Sequence, residues 1–207
     1  MKSIRILVAS AFLAPALFGI AACSKAPAEP SAVTGGDWTV DSDVSSLSYV
    51  SVKSGNVAEA NTFSALSGSV SEAGEAEVII DLASLETGVD IRNERMRDIF
   101  FVVADNPTAN VTATIDPATF EALGVGESMP QKLDATLSVK GVETSINADV
   151  QVTRAGEDRV QVVSTAPVIV YADALELTEG LATLQQLAGL GEITPLVPVT
   201  FSLTFKR

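Results

Sequence analysis

The sequence predicts a mainly β domain, an antiparallel up-and-down β-barrel, and three observations lead there. Apolar and polar residues alternate with a period of two along most of the chain after Asp37. Between positions 130 and 170 the alternating rows follow one another at hairpin spacing. Each row has only one apolar face, so the strands must close into a barrel or pair as a sandwich to bury it. The hairpin spacing favours the barrel.

Residues 1–22 carry Lys2 and Arg5 and then an apolar run from Ile6 to Ala22, interrupted by Ser10, Pro15 and Gly19. A charged start, an apolar middle and small residues at the end describe an export signal. The run barely reaches spanning length, and Pro15 sits in its middle. Ile20-Ala21-Ala22-Cys23 then has the form of a bacterial lipobox, in which the thiol of Cys23 takes a diacylglycerol before cleavage and the freed amine is acylated. Several acyl chains anchor stably where one is marginal. The competing reading is an ordinary signal cut near Ala22, with a spare thiol. Cys23 is the only cysteine and stands at the required place, which favours the lipobox. No intrachain disulfide is then available, and the core alone must hold the fold.

Residues 23–36 comprise the lipidated Cys23 and a Pro-, Ala-, Ser- and Gly-rich tether, with a reach on the order of 20 Å as a coil. Ser24 follows Cys23 where an Asp would favour retention at the inner membrane, so the expected location is the outer membrane, facing the periplasm. Residues 37–207 form one domain.

Strands are expected near 37–41, 46–53, 62–71, 75–82, 109–116, 130–140, 143–153, 159–170 and 197–206. Leu133, Ala135, Leu137 and Val139 share one face, and Ile146, Ala148, Val150 and Val152 repeat the pattern. Lys140-Gly141-Val142-Glu143 is the hairpin turn between them. Val111, Ala113 and Ile115 form a third row. Val160, Val162, Ala166, Val168 and Val170 form a fourth, and Val197 to Phe205 a fifth. Two segments have helical spacing instead. One runs from Val89 to Ala104 with Asp90 as N-cap. The other runs from Leu175 to Leu190, with Thr178 as cap, Leu181, Leu184, Leu187 and Leu190 at three-residue steps, and Gly189 and Gly191 at its end.

The composition removes most catalytic chemistry. There is no histidine, and the only cysteine is expected to be acylated, so Cys nucleophiles, Ser-His-Asp triads and zinc sites are not expected. The net charge of −13 repels nucleic acid, and losing Lys2 and Arg5 with the signal makes the mature chain more acidic still. The carboxylates Glu72, Glu75, Glu77 and Asp81 read as a solvated strand face, since the looped spacing of a calcium site is missing. Arg92, Arg95 and Arg97 stand out in so acidic a chain. Local pairing with Glu94, Asp98 and their neighbours on a surface helix accounts for two of them. A polar rim over an apolar cavity is the functional alternative.

An ordered set of motifs carries a resemblance. Asp37-Trp38-Thr39-Val40-Asp41 opens the domain. Ser46-Leu47-Ser48-Tyr49, Val52-Lys53 and Phe63-Ser64-Ala65-Leu66-Ser67-Gly68 follow. Then come Ile80 to Gly88, Arg92 to Arg97, Asn106-Pro107-Thr108-Ala109 and Leu137 to Val142. In order and spacing these resemble the YceI-like family of exported polyisoprenoid-binding proteins, from about Asp37 to Phe205. The resemblance implies a lipocalin-like antiparallel barrel with a short helical flap, and an elongated apolar tunnel for a polyprenyl chain such as that of a quinone. It implies a non-catalytic carrier, store or stress-related sensor with no cofactor beyond a bound isoprenoid quinone or polyprenyl lipid. On this chain Arg92, Arg95, Met96, Ile99, Phe100 and Phe101 would lie by the opening. Tyr49, Phe63, Val111, Ala113, Leu133, Ala135, Leu137, Ile146 and Ala148 would line or back the tunnel. Two departures are visible: Asn61 and Thr62 stand where relatives often carry a histidine before Phe63, and the helix at 179–190 has the character of a subgroup feature. The alternative is a structural or interaction lipoprotein with a packed barrel and no ligand.

Overall fold

A computed structural model describes residues 36–207; the predicted signal, Cys23 and nearly all of the tether lie outside the described residues. Twelve strands form a single sheet. They are β1 (Trp38–Val40), β2 (Ser46–Lys53), β3 (Val57–Phe63), β4 (Leu66–Val70), β5 (Glu75–Asp81), β6 (Leu85–Glu86), β7 (Thr108–Thr114), β8 (Ser128–Val139), β9 (Val142–Gly156), β10 (Arg159–Ser164), β11 (Val168–Tyr171) and β12 (Leu196–Lys206). Every pairing is antiparallel. The strands β1 and β2 act as one broken stave, as do β3 with β4 and β10 with β11. β12 pairs with β10 and β11 on one side and with β1 and β2 on the other, and this closes a ring of eight staves in chain order. The fold is the expected closed up-and-down barrel.

A two-residue turn, Lys140-Gly141, joins Val139 to its partner Val142. Both turn residues have positive φ, 53° and 79°, the backbone that matches the twist of the flanking strands. The strand expected at 62–71 begins earlier, at Val57, and breaks between Phe63 and Leu66. The row expected over 159–170 is interrupted at Thr165-Ala166-Pro167, because proline cannot donate to the ladder, and Ala166 is exposed rather than inward. The carboxylates Glu72, Glu75, Glu77 and Asp81 are all exposed.

The two helical segments are shorter than the spacing predicted. Helix α1 (Asp90–Arg95) passes into a π-helical turn over Met96–Phe101 that ends at Val102 with φ 51°. Asp90 is its first residue and not its cap; that position falls to Val89, whose side chain cannot accept a hydrogen bond. The buried Asn93 instead fixes the helix, accepting from Thr87 N at 2.9 Å and donating to Glu86 Oε1 at 3.0 Å. Helix α2 (Thr178–Ala188) likewise begins at Thr178, with Leu177 before it, and ends on Gly189 in the left-handed conformation. Its three-residue leucine steps drift by ~60° each around a helix of 3.6 residues per turn. Leu184 is therefore buried while Leu187 is exposed, and Leu190 lies beyond the helix end. The π-turn and α2 pack closely: a Cβ on Gly180 would stand 3.1 Å from the Phe100 ring.

The helices cover one end of the barrel, where the Lys140 ammonium donates to Phe100 O at 3.2 Å. Trp38, Phe120 and Leu123 are buried at the other end, where the fully buried Arg154 donates to Leu123 O at 3.1 Å. The chain thus enters the barrel at the end away from the flap.

Candidate functional site: an apolar cavity along the barrel axis

Alternation sends every second side chain inward, and in a closed barrel of eight strands those side chains either fill the lumen or leave room for one small ligand. Here they leave room. The lumen holds a cavity of about 670 Å³, within the range of small-molecule sites. Val111, Ala113, Leu133, Ala135 and Ile146 face it and are only half-buried, which a packed core would not permit. The packed barrel of the alternative reading is therefore not the structure found.

The space comes from a belt of alanines. Ala76 pairs with Ala113, and Ala113 with Ala135, so three methyl groups from three neighbouring strands line up across the wall. Ala148, opposite Leu133, adds a fourth small side chain. Toward the Trp38 end a second space of about 110 Å³ shares Val70, Ile115, Leu133, Val162 and Phe205 with the first, so the same side chains separate the two.

The roof is aromatic and aliphatic. Tyr49, Phe63, Phe101 and Phe100 form a chain of ring contacts with centroids 5.8, 6.1 and 4.8 Å apart, running from the barrel wall into the flap. Met96 on the π-turn and Leu181, Leu184 and Ala188 on α2 complete it. At the mouth the wall becomes polar. Glu59 bridges Lys53, at 2.9 Å, and Arg92. Arg92 also donates to Thr87 O at 2.6 Å. The hydrogen bond from Lys53, with the charge and hydrogen bond of Arg92, holds the Glu59 carboxyl below its usual pKa against the opposing effect of partial burial. Burial pushes the Tyr49 hydroxyl far above the ordinary phenol range, opposed only in part by the Arg92 charge, so the hydroxyl stays protonated.

Of the residues singled out from sequence, Tyr49, Phe63, Arg92, Arg95, Met96, Phe100, Phe101, Val111, Ala113, Leu133, Ala135, Leu137, Ile146 and Ala148 lie on the cavity wall. Ile99 does not: it is 37% exposed on the outer side of the π-turn, because the adjacent Phe100 and Phe101 take both inward positions. The arginines also differ from the local pairing expected of them. Arg92 reaches Glu59 on β3, Arg95 donates to Leu187 O on α2 at 3.1 Å, and Arg97 donates to Ala83 O at 3.3 Å. Each ties the flap to a different part of the barrel or to its second helix.

Sequence reasoning found Phe63 but missed the two polar inward residues of β3. Glu59 and Asn61 interrupt the apolar row with polar side chains, which hid the first half of the strand. The alternation Glu59, Asn61, Phe63 was the available signal.

A closed eight-stave barrel with an unfilled apolar lumen and a helical roof defines a lipocalin-like fold with room for an apolar ligand. The YceI-like domain model matches residues 38–205, and the chain belongs to that family. A polyisoprenoid-binding domain from Saccharophagus degradans, implicated in plant cell wall breakdown, is 39% identical; the match covers 82% of this chain and 98% of that one, with a TM-score of 0.79. Burkholderia cenocepacia BcnA is 17% identical over 80% of this chain and 98% of its own, with a TM-score of 0.57. The Campylobacter jejuni YCEI protein is 14% identical over 71% and 84%, with a TM-score of 0.51. These last two share the fold. No curated protein matches the sequence.

Proposed function

We propose that this protein binds a long isoprenoid chain, of a quinone or a polyprenyl lipid, tail-inward in the barrel, as a non-catalytic carrier, store or sensor held at the cell envelope by acyl chains on Cys23. The observation that carries the reading is the unfilled apolar lumen, in a chain 39% identical to a polyisoprenoid-binding domain. Each buried CH₂ contributes roughly 0.8 kcal/mol before the costs of association, so a few prenyl units hold a ligand firmly. The anchor rests on Ile20-Ala21-Ala22-Cys23, and the outer membrane as its site rests on Ser24.

Solvent extraction of the purified protein followed by mass spectrometry tests the ligand. A prenyl lipid near one per chain is expected, and a protein that neither copurifies with such a lipid nor takes one up would refute the reading. The anchor is tested separately. Cys23→Ser should lose acyl labelling and either release soluble protein or accumulate precursor; normal processing with membrane retention would rule the anchor out.

A further inference from the structure

Among the described residues three buried side-chain polar atoms have no hydrogen-bond partner, and two of them, Asn61 Oδ1 and Arg92 Nε, belong to residues of the cavity wall near the mouth. Asn61 is 2% exposed and lies on the inward face of β3, directly opposite Tyr49 of β2. Its amide orientation is fixed by chemistry. Nδ2 donates to Glu59 O at 3.1 Å, and a carbonyl oxygen can only accept, so the nitrogen must face it. The same nitrogen donates to Ser51 Oγ at 3.1 Å. Oδ1 is left as an acceptor with nothing to accept. The Tyr49 hydroxyl is also on the wall and makes no hydrogen bond among the described residues.

We propose that this wall is a head-group site for a neutral hydroxyl, whose proton is donated to Asn61 Oδ1 while its oxygen accepts from Arg92 Nε or the Tyr49 hydroxyl. The proposal rests on the reading of the cavity as an isoprenoid site and narrows it to lipids with a donor at the head, a prenyl alcohol or a hydroquinone. A quinone carbonyl or an ether can satisfy Arg92 or Tyr49 but leaves Asn61 Oδ1 buried and unpaired, which is costly. A cationic head finds no free carboxylate at the mouth, because Glu59 already bridges Lys53 and Arg92.

The test compares ligands with one tail and different heads. The full chain, purified in detergent and stripped of copurified lipid, is titrated with farnesol and with farnesyl methyl ether. A short-tailed ubiquinone in its reduced and oxidised forms follows. Farnesol should bind at least tenfold more tightly than the ether, and Asn61→Leu should bring the two affinities to within about twofold of each other. A matching preference for the reduced quinone assigns the hydroxyl to a hydroquinone; a gap confined to the alcohol pair assigns it to a prenol. Equal binding of alcohol and ether by the unaltered protein overturns the head-group site, as when water fills that position, and leaves the isoprenoid reading standing. If none of the four ligands binds, both fall. A gap that survives in folded Asn61→Leu overturns the assignment to Asn61. Should that variant not fold, the comparison on the unaltered protein still decides.

Discussion

Replacing Ala135 by tryptophan tests whether the lumen, and not the rim, holds the ligand. Ala135 sits in the alanine belt, paired with Ala113, and its half-buried methyl group faces the cavity. An indole there adds roughly ten heavy atoms, the space of about two prenyl units, and at ~0.8 kcal/mol per displaced carbon it removes about 8 kcal/mol of gross contact. If half of that is recovered by the chain slipping within the tunnel, about 4 kcal/mol is still lost, close to a thousandfold in Kd. The barrel should tolerate the change, because the ring can lie over the methyl groups of Ala113 and Ala76. Copurified lipid is quantified by mass spectrometry, and folding is checked by a cooperative thermal melt. Ala135→Trp should fold and emerge nearly empty. A folded variant with full occupancy would show that the ligand lies elsewhere, and the tail-inward arrangement would be wrong.

Arg95→Ala removes one exposed hydrogen bond between the flap and α2, worth ~1 kcal/mol at most, so ligand affinity should fall no more than about fivefold; an empty protein would mean that the rim carries the binding. The Glu59 carboxyl has a folded pKa below its usual value of 4.5, so its stabilisation is present above that value and is lost as the pH falls through the lower folded one. Glu59→Gln should therefore melt at a lower temperature at pH 7 and lose less than the unaltered protein on going to pH 3; equal losses in both would remove Glu59 from the acid response.

Strands were legible in the sequence because their signal is local. A half-buried strand must alternate every second residue, and rows such as Leu133 to Val139 do so without interruption. The turn at Lys140-Gly141 was legible for the same reason. The single apolar face of each row required a barrel or a sandwich, and the hairpin spacing between 130 and 170 favoured the barrel. The helical segments were legible as departures from the period of two, but their ends were not, since Asp90 and Thr178 are good caps that the chain uses one position later.

What only the tertiary structure decided was register, and with it the site. Ala76, Ala113 and Ala135 are far apart in the chain, and only the pairing of three strands makes them one belt that leaves the lumen open. Glu59 meets Arg92 across 33 positions. Asn61 meets Tyr49 only because β2 and β3 pair at that offset. The π-turn turns Ile99 outward and brings both Phe100 and Phe101 in, a choice that helical spacing does not encode. Periodicity records which face of an element is apolar. It does not record which residue of another element stands opposite, and a cavity is made of those oppositions.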